Sequence, residues 1–419
     1  MNSIDVFKRP GVRDILAVAA AIGASIIAAP AGAVDEHEVV LQADLRGVAV
    51  DSPLASFTEG GLGLLRFDAA NDGAQVGRVL LDVSGPIGET FRYTLTTSGT
   101  DDGDRHALDV TEAYLDWRPY PTNAWRWRAR VGAFYAPISL ENRAIGWQSV
   151  YSLSPSAINT WIGEEARTIG AEIATTWLGA HSDHDFDVTL VGAAYRWNDP
   201  FGVLLFQRGW GIHDRQSPLF GELPRMFVRD PDNRTLEFFH EIDDRTGYYV
   251  GAEIKWTNDW LVRALHYDNL GDVMDASAKE PTWRTRFDAL GARIELPHDV
   301  TLLTQGMLGD TEGVPRNGRG MFLVEFWAYY ALVSQRYGQH RYTARFDRMY
   351  TDTERGAQFF ESAQNARAWT LAYQFDLNEH WQFALEAVRI EGSLAQRADL
   401  GLAPHATERQ LQLAVRWTR

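Results

Sequence analysis

The sequence predicts an all-β fold: an antiparallel transmembrane β-barrel of about 16 strands (16–18), with short turns at one end and long loops at the other. Three observations carry that expectation. Strand-length stretches alternate apolar and polar side chains along the chain. The connections between them alternate short and long. Beyond the N-terminal segment no run approaches the ~18 uncharged apolar residues a spanning helix needs, whereas barrel strands of ~9–11 residues leave no such run.

The elements follow in chain order. The first 33 residues read as a signal peptide: Lys8, Arg9 and Arg13 precede an alanine-rich apolar core over residues 15–27, and Ala31-Gly32-Ala33 supplies the small-residue cleavage pattern. Residues 34–419 would then form the barrel. Alternation predicts strands over residues 38–50, 60–68, 74–84, 89–98, 109–117, 125–134, 167–177, 186–197, 248–256, 260–267, 286–296, 301–309, 321–335, 341–350 and 368–377, with two more beginning at Trp381 and ending at Trp417. Tight turns fall at 85–88, 120–123, 257–259, 297–299, 337–339 and 378–380. Long polar connections occupy 100–107, 135–166, 198–246, 268–285, 310–320, 351–366 and 392–408. The connection 198–246 is too long for a structureless loop and contains the apolar stretch 201–206, which predicts structure of its own.

Composition narrows the function. The 419 residues include no cysteine, which suits an oxidising compartment and removes thiolate nucleophiles and thiolate metal sites. A net charge of −16 argues against a nucleic-acid partner. Lysine occurs only at Lys8, Lys255 and Lys279, so almost all positive charge is arginine.

The most informative strand is Trp125-Arg126-Trp127-Arg128-Ala129-Arg130-Val131, whose alternation puts two tryptophans on one face and three guanidinium groups on the other. In a membrane barrel the tryptophans face lipid and the arginines an aqueous lumen, because a charge facing lipid costs ~2–4 kcal/mol at the midplane. Arg126, Arg128 and Arg130 are therefore candidates for a positive wall along a solute pathway. Glu112, Asp116, Glu164 and Glu165 are the acids expected to face it, and Arg341 and Arg345 share the inner face. Inward arginines and carboxylates could equally pair to rigidify the wall without touching solute.

The segments QVGRVLLDVSGPIGETFRYTLTTS, VTEAYLDWRP and RARVGAFYAPISLEN, in that order through the first half of the chain, resemble the phosphate-selective porin O and P family and its broader porin relatives. The resemblance implies a sixteen-stranded barrel in the bacterial outer membrane, surrounded by lipid and lipopolysaccharide and usually a homotrimer. It also implies a third long loop folded into the lumen, a position that residues 135–166 occupy. Phosphate-selective members are implied to use wall arginines plus clustered lysines. Arg126, Arg128 and Arg130 could supply the first, but the lysine cluster is absent. The expected function is passive diffusion of small hydrophilic solutes, with no catalysis, cofactor or metal. The alternatives are an anion- or phosphate-selective channel, or a non-conducting barrel acting as enzyme or adhesin.

Other chemistry is weaker. His181-Ser182-Asp183-His184-Asp185 has the residue types of a metal site but falls where a turn is expected. Asp101, Asp102 and Asp104 read as loop charge. Glu164-Glu165 beside Arg167 could serve as an acid/base pair, but anchoring a loop is the simpler role.

Overall fold

A computed structural model describes residues 37–101, 108–121, 123–221, 237–274, 282–314, 321–356 and 361–419. The expected signal peptide, Asp102 and Asp104 lie outside the described residues. Sixteen antiparallel strands close into one barrel. In chain order they are β1 (Glu38–Asp51), β2 (Gly73–Ile87), β3 (Phe91–Gly99), β4 (Asp109–Trp117), β5 (Trp125–Phe134), β6 (Thr168–Trp177), β7 (Phe186–Arg196) and β8 (Gly247–Trp256). The second half comprises β9 (Leu261–Asp268), β10 (Trp283–Leu296), β11 (Val300–Gly313), β12 (Phe322–Tyr337), β13 (His340–Arg355), β14 (Gln364–Asp376), β15 (Trp381–Leu394) and β16 (His405–Thr418). Every neighbouring pair is consecutive in the chain, and β1 pairs with β16 from Gln42 opposite Thr418 to Asp51 opposite Arg409. Closure leaves no open edge in the barrel sheet, so its strands find their backbone partners within the wall and not in lipid.

Local chemistry sets the turns. Between β10 and β11, where Leu296 pairs with Val300, the three-residue turn 297–299 reverses the chain with His298 and Asp299 both at positive φ (65° and 54°). Gly338 (φ 59°) does the same between β12 and β13. The His181–Asp185 stretch is a turn between β6 and β7, with Asp183 in the left-handed region at φ 56°.

Alternation appears as predicted in the longer strands. Along β12 the side chains of Phe322, Val324, Phe326, Ala328 and Tyr330 are buried inward, while Trp327, Tyr329 and Val333 are exposed on the outer wall. The outer wall carries aromatics near the turn end, where Trp381 lies opposite Trp417 and both follow the lipid-facing side.

One expected strand does not form. Residues 60–68 fold inside the barrel as an irregular segment after a short 3-10 turn at Phe57–Glu59, with Gly60 left-handed at φ 78°. Leu62, Leu64, Leu65 and Phe67 are all buried, so consecutive side chains pack on several sides instead of alternating between two faces. Ser56 and Asp68 hold the segment: the Ser56 amide donates to Asp68 Oδ2 at 2.7 Å, and the Ser56 hydroxyl donates to the carbonyl of Arg66 at 2.7 Å. Without this segment the strand total is 16.

Candidate functional site: the lumen and the segments that cross it

The connection between β5 and β6 does not stand above the barrel. After Tyr135 it drops into the lumen, forms a small hairpin (Asn142–Ala144 with Gln148–Ser149), and returns through helix α1 (Ala157–Glu165). Ser156 caps α1, accepting from the Asn159 amide. The opposite wall grips this loop. Glu386 of β15 accepts from the amides of Leu153 (2.7 Å) and Ser154 (3.0 Å) and from the Ser154 hydroxyl (2.7 Å). Arg345 of β13 donates to the carbonyls of Ser154 (2.7 Å) and Pro155 (2.9 Å), and Asp347 accepts from the Ala157 amide at 3.1 Å. On the other side Arg263 of β9 donates to the carbonyls of Pro137 (3.0 Å) and Ser139 (3.1 Å). Loop carbonyls and amides that would be costly to bury unpaired are thus satisfied by inward wall charges.

A second segment crosses the lumen above the first. After β7, residues 198–221 turn inward and form helix α2 (Val203–Arg208), then continue to the wall of β1 and β2. Each step is fastened. Thr285 of β10 donates to the Phe201 carbonyl. Gln364 of β14 accepts from the Trp210 amide at 2.7 Å and donates to its carbonyl at 3.0 Å. Ile212 donates to the Leu64 carbonyl at 2.9 Å, and Leu219 to the Val110 carbonyl at 2.7 Å. Phe201, Leu204, Leu205, Trp210 and Ile212 are each no more than 1% exposed. They pack with Trp161 of α1 and with Phe287 and Phe326 of the wall; Trp161 stacks on Phe201 at 4.7 Å and meets Phe326 edge-on at 5.2 Å. The loop end of the lumen therefore contains an aromatic core where a wide pore would hold water.

Two buried ionic knots lock the crossing segments. Asp214 accepts from Arg46 of β1 at 2.6 Å and from Arg66 at 2.8 Å, and its backbone carbonyl accepts from Arg78 of β2. Burial alone would raise the Asp214 carboxyl, but the three guanidinium groups outweigh it and hold the group well below the usual carboxylate range. Glu164 of α1 faces Arg208, with His213 Nε2 at 3.3 Å and Arg215 Nη1 at 3.4 Å. Those neighbours overcome burial and hold it down at about 2. Its neighbour Glu165 is left without a full countercharge. It accepts from the Trp161 indole and from the Leu204 amide at 2.9 Å, capping α2 across the gap between segments. Burial pushes the Glu165 carboxyl up to about 8.

The structure sorts the sequence-predicted residues into two groups. On the turn side of the crossing segments, Arg126 is exposed, and Arg128 is 35% exposed and paired with Asp116 at 2.8 Å. Arg341 lies over the Tyr151 ring at 5.4 Å, with Arg143 of the inserted hairpin donating to the Tyr151 hydroxyl at 2.7 Å. Arg130, Glu172 and Tyr249 instead form a closed set: Arg130 binds Glu172 in a two-pronged pair at 2.8 Å and lies over Phe134 at 4.1 Å. Glu112 accepts from the Tyr135 amide at 3.3 Å. Arg345, Glu164 and Glu165 have no measurable exposure and fasten loops. The three strand arginines are thus not equivalent.

Sequence reasoning missed Arg66, Arg208, His213, Asp214 and Arg215. A signal was present: the apolar stretch 201–206 followed at once by Arg208, His213, Asp214 and Arg215 describes a segment buried with its charges matched. Near the loop rim Asp199, Glu241 and Asp243 also converge, but Asp199 Oδ2 already accepts from the amides of Ile242 (2.5 Å) and Asp243 (3.3 Å).

Comparisons agree with this architecture. The family model for phosphate-selective porin O and P matches residues 64–206. That span runs from the buried segment before β2 into α2. No curated protein sequence matches the chain. Among solved structures, OmpF of Salmonella typhi, solved with daunomycin, is similar at 8% identity and a TM-score of 0.50, covering 91% of this chain and 97% of that one. The outer membrane channel DcaP of Acinetobacter baumannii shares 11% identity with a TM-score of 0.49 over 92% and 99%. The anion-selective porin from Comamonas acidovorans shares 13% with a TM-score of 0.48 over 91% and 99%. Residues 64–206 thus match the phosphate-selective porin O and P family, and the closed sixteen-stranded barrel is a fold the chain shares with OmpF of Salmonella typhi.

Proposed function

We propose that this porin passes small hydrophilic solutes through a lumen narrowed twice, by residues 135–166 as the constriction loop and by residues 198–221 as a plug above it. The observation that carries the reading is the pair of ionic knots at Asp214 and Glu164, which tie plug, loop and wall together. Solute arriving on the turn side meets the guanidinium groups of Arg126, Arg128, Arg143 and Arg341, which favour small anions at that mouth. A homotrimer in the outer membrane is the expected assembly, and no step requires catalysis or a cofactor.

Single-channel conductance in a planar bilayer, with the reversal potential under a salt gradient, tests this. Small conductance steps with anion preference are expected. Large, weakly selective steps of a wide pore would overturn the double constriction. The packed aromatic core around Trp210 favours a second reading, a barrel that conducts only after the plug leaves, and long silent periods broken by openings would distinguish it.

A further inference from the structure

The Asp214 knot has a shape that latching alone does not require. Asp214 Oδ2 accepts from Arg46 of β1 at 2.6 Å and Oδ1 from Arg66 at 2.8 Å, so the carboxylate bridges two guanidinium groups, one to each oxygen. The main-chain carbonyl of the same residue accepts from Arg78 of β2. From the carboxylate carbon through Cβ and Cα to the carbonyl carbon, what fills this socket is a four-carbon unit with an oxygen-bearing carbon at each end, the skeleton of succinate. The wall holds the socket in shape. Arg46 also donates to Gln412 of β16 at 3.1 Å, and its guanidinium lies against Gly77, where any side chain would collide with it. Arg46, Arg66 and Arg78 are each no more than 3% exposed.

The fit between plug and socket is incomplete at one end. Arg78 Nη1 has no hydrogen-bond partner among the described residues. The carbonyl that Arg78 does bind is neutral, and the Asp214 carboxylate reaches it only at 3.8 Å. A second carboxylate in place of that carbonyl would supply both an oxygen for Nη1 and a countercharge for the guanidinium. A four-carbon dicarboxylate therefore satisfies Arg46, Arg66 and Arg78 more completely than the plug does. The two cannot be present together. Beside Asp214 the cavity lined by Arg78, Gln148, Asn159 and Gln216 measures about 10 Å³, room for roughly one water molecule.

Resting on the reading in which the plug leaves before the barrel conducts, we propose that Arg46, Arg66 and Arg78 form a binding site for four-carbon dicarboxylates, which Asp214 fills as a built-in competitor while the plug is docked. One carboxylate of the solute bridges Arg46 and Arg66, and the other takes both Nη groups of Arg78. The solute binds the released state alone, so it holds the channel open. The released-to-docked ratio rises by one plus the ratio of solute concentration to Kd, about a hundredfold at a hundred times Kd. Chain length is read by the two-carbon spacing between the ends, and a monocarboxylate leaves Arg78 unmatched. The acid that crosses the channel is then also the signal that opens it.

Single-channel recording of the refolded, heat-modifiable protein at constant ionic strength, with succinate, glutarate, butyrate or inorganic phosphate replacing chloride, tests the proposal without any substitution. Open probability should rise and saturate with succinate, and the other three should need at least about tenfold higher concentration. Butyrate or phosphate as effective as succinate would overturn it. Equilibrium dialysis of labelled succinate against D214N in detergent gives a second readout. Binding at least about tenfold tighter than to the wild type is expected, because the competitor is gone, and that gain should vanish in D214N/R78Q. Binding to D214N that R78Q leaves unchanged would overturn the site. Wild-type openings that ignore succinate would overturn the proposal and leave the plug reading intact, whereas identical traces for wild type and D214N in chloride alone would remove the plug reading and the proposal with it.

Discussion

The plug offers the sharpest test of how this lumen is narrowed. Asp214→Asn keeps the side-chain size but removes the carboxylate that Arg46 and Arg66 share. Arg46 retains Asp44 at 3.1 Å, while Arg66 and Arg78 lose their shared countercharge. Breaking a buried pair by removing one partner costs ~3–5 kcal/mol, and each ~1.4 kcal/mol is tenfold in an equilibrium. The ratio of docked to released plug should fall by roughly 10²- to 4 × 10³-fold, because the barrel ladder is untouched and the loss falls on the docked segment. In a planar bilayer the variant should show frequent openings of larger conductance than the wild type, with heat-modifiability preserved. Identical traces for wild type and Asp214→Asn, on correctly folded protein, would refute the assignment of this knot as the latch.

Three further outcomes follow from the same geometry. Glu165 has a carboxyl raised from its ordinary 4.5 to about 8, so the docked plug binds a proton that the released plug gives up. Docking is then strongest below about pH 4.5 and is lost as pH rises through about 8; open probability should climb between about pH 4.5 and 8, and Glu165→Gln should flatten that climb. Arg126→Ala should move the reversal potential toward cations with little effect on stability. Arg130→Ala should instead lower the unfolding temperature, because it strands Glu172 and Tyr249 inside the wall, and a larger selectivity change for Arg130 than for Arg126 would contradict their different settings. Trp161→Ala removes the hub of the aromatic core and should cost ~3–5 kcal/mol of docking free energy, read as longer openings and faster proteolysis within residues 198–221.

Different parts of this molecule were legible to different degrees. Strand 125–134 and its turn-end neighbours could be placed to within a residue, because lipid on one side and polar lumen on the other impose a penalty that each side chain answers alone. Residues 60–68 misled because glycine and leucine alternate there without a sheet to face. The arginines of strand 125–134 could be assigned to the inner wall, but their differences could not be read, since Arg126 and Arg130 have the same spacing and the same chemistry.

The sequence by itself determined the class of fold, the number of strands to within one, and which side chains point inward, since period-two alternation and turn chemistry act over a few residues. Tertiary structure alone decided what the inward charges do. Arg46 meets Asp214 across 168 positions, and Glu386 meets Ser154 across 232. Such pairs depend on barrel closure bringing distant strands around one lumen, so no local pattern encodes them. The same closure turns residues 198–221 from a long connection into a plug, because its apolar side chains find a core only where walls and loop already converge.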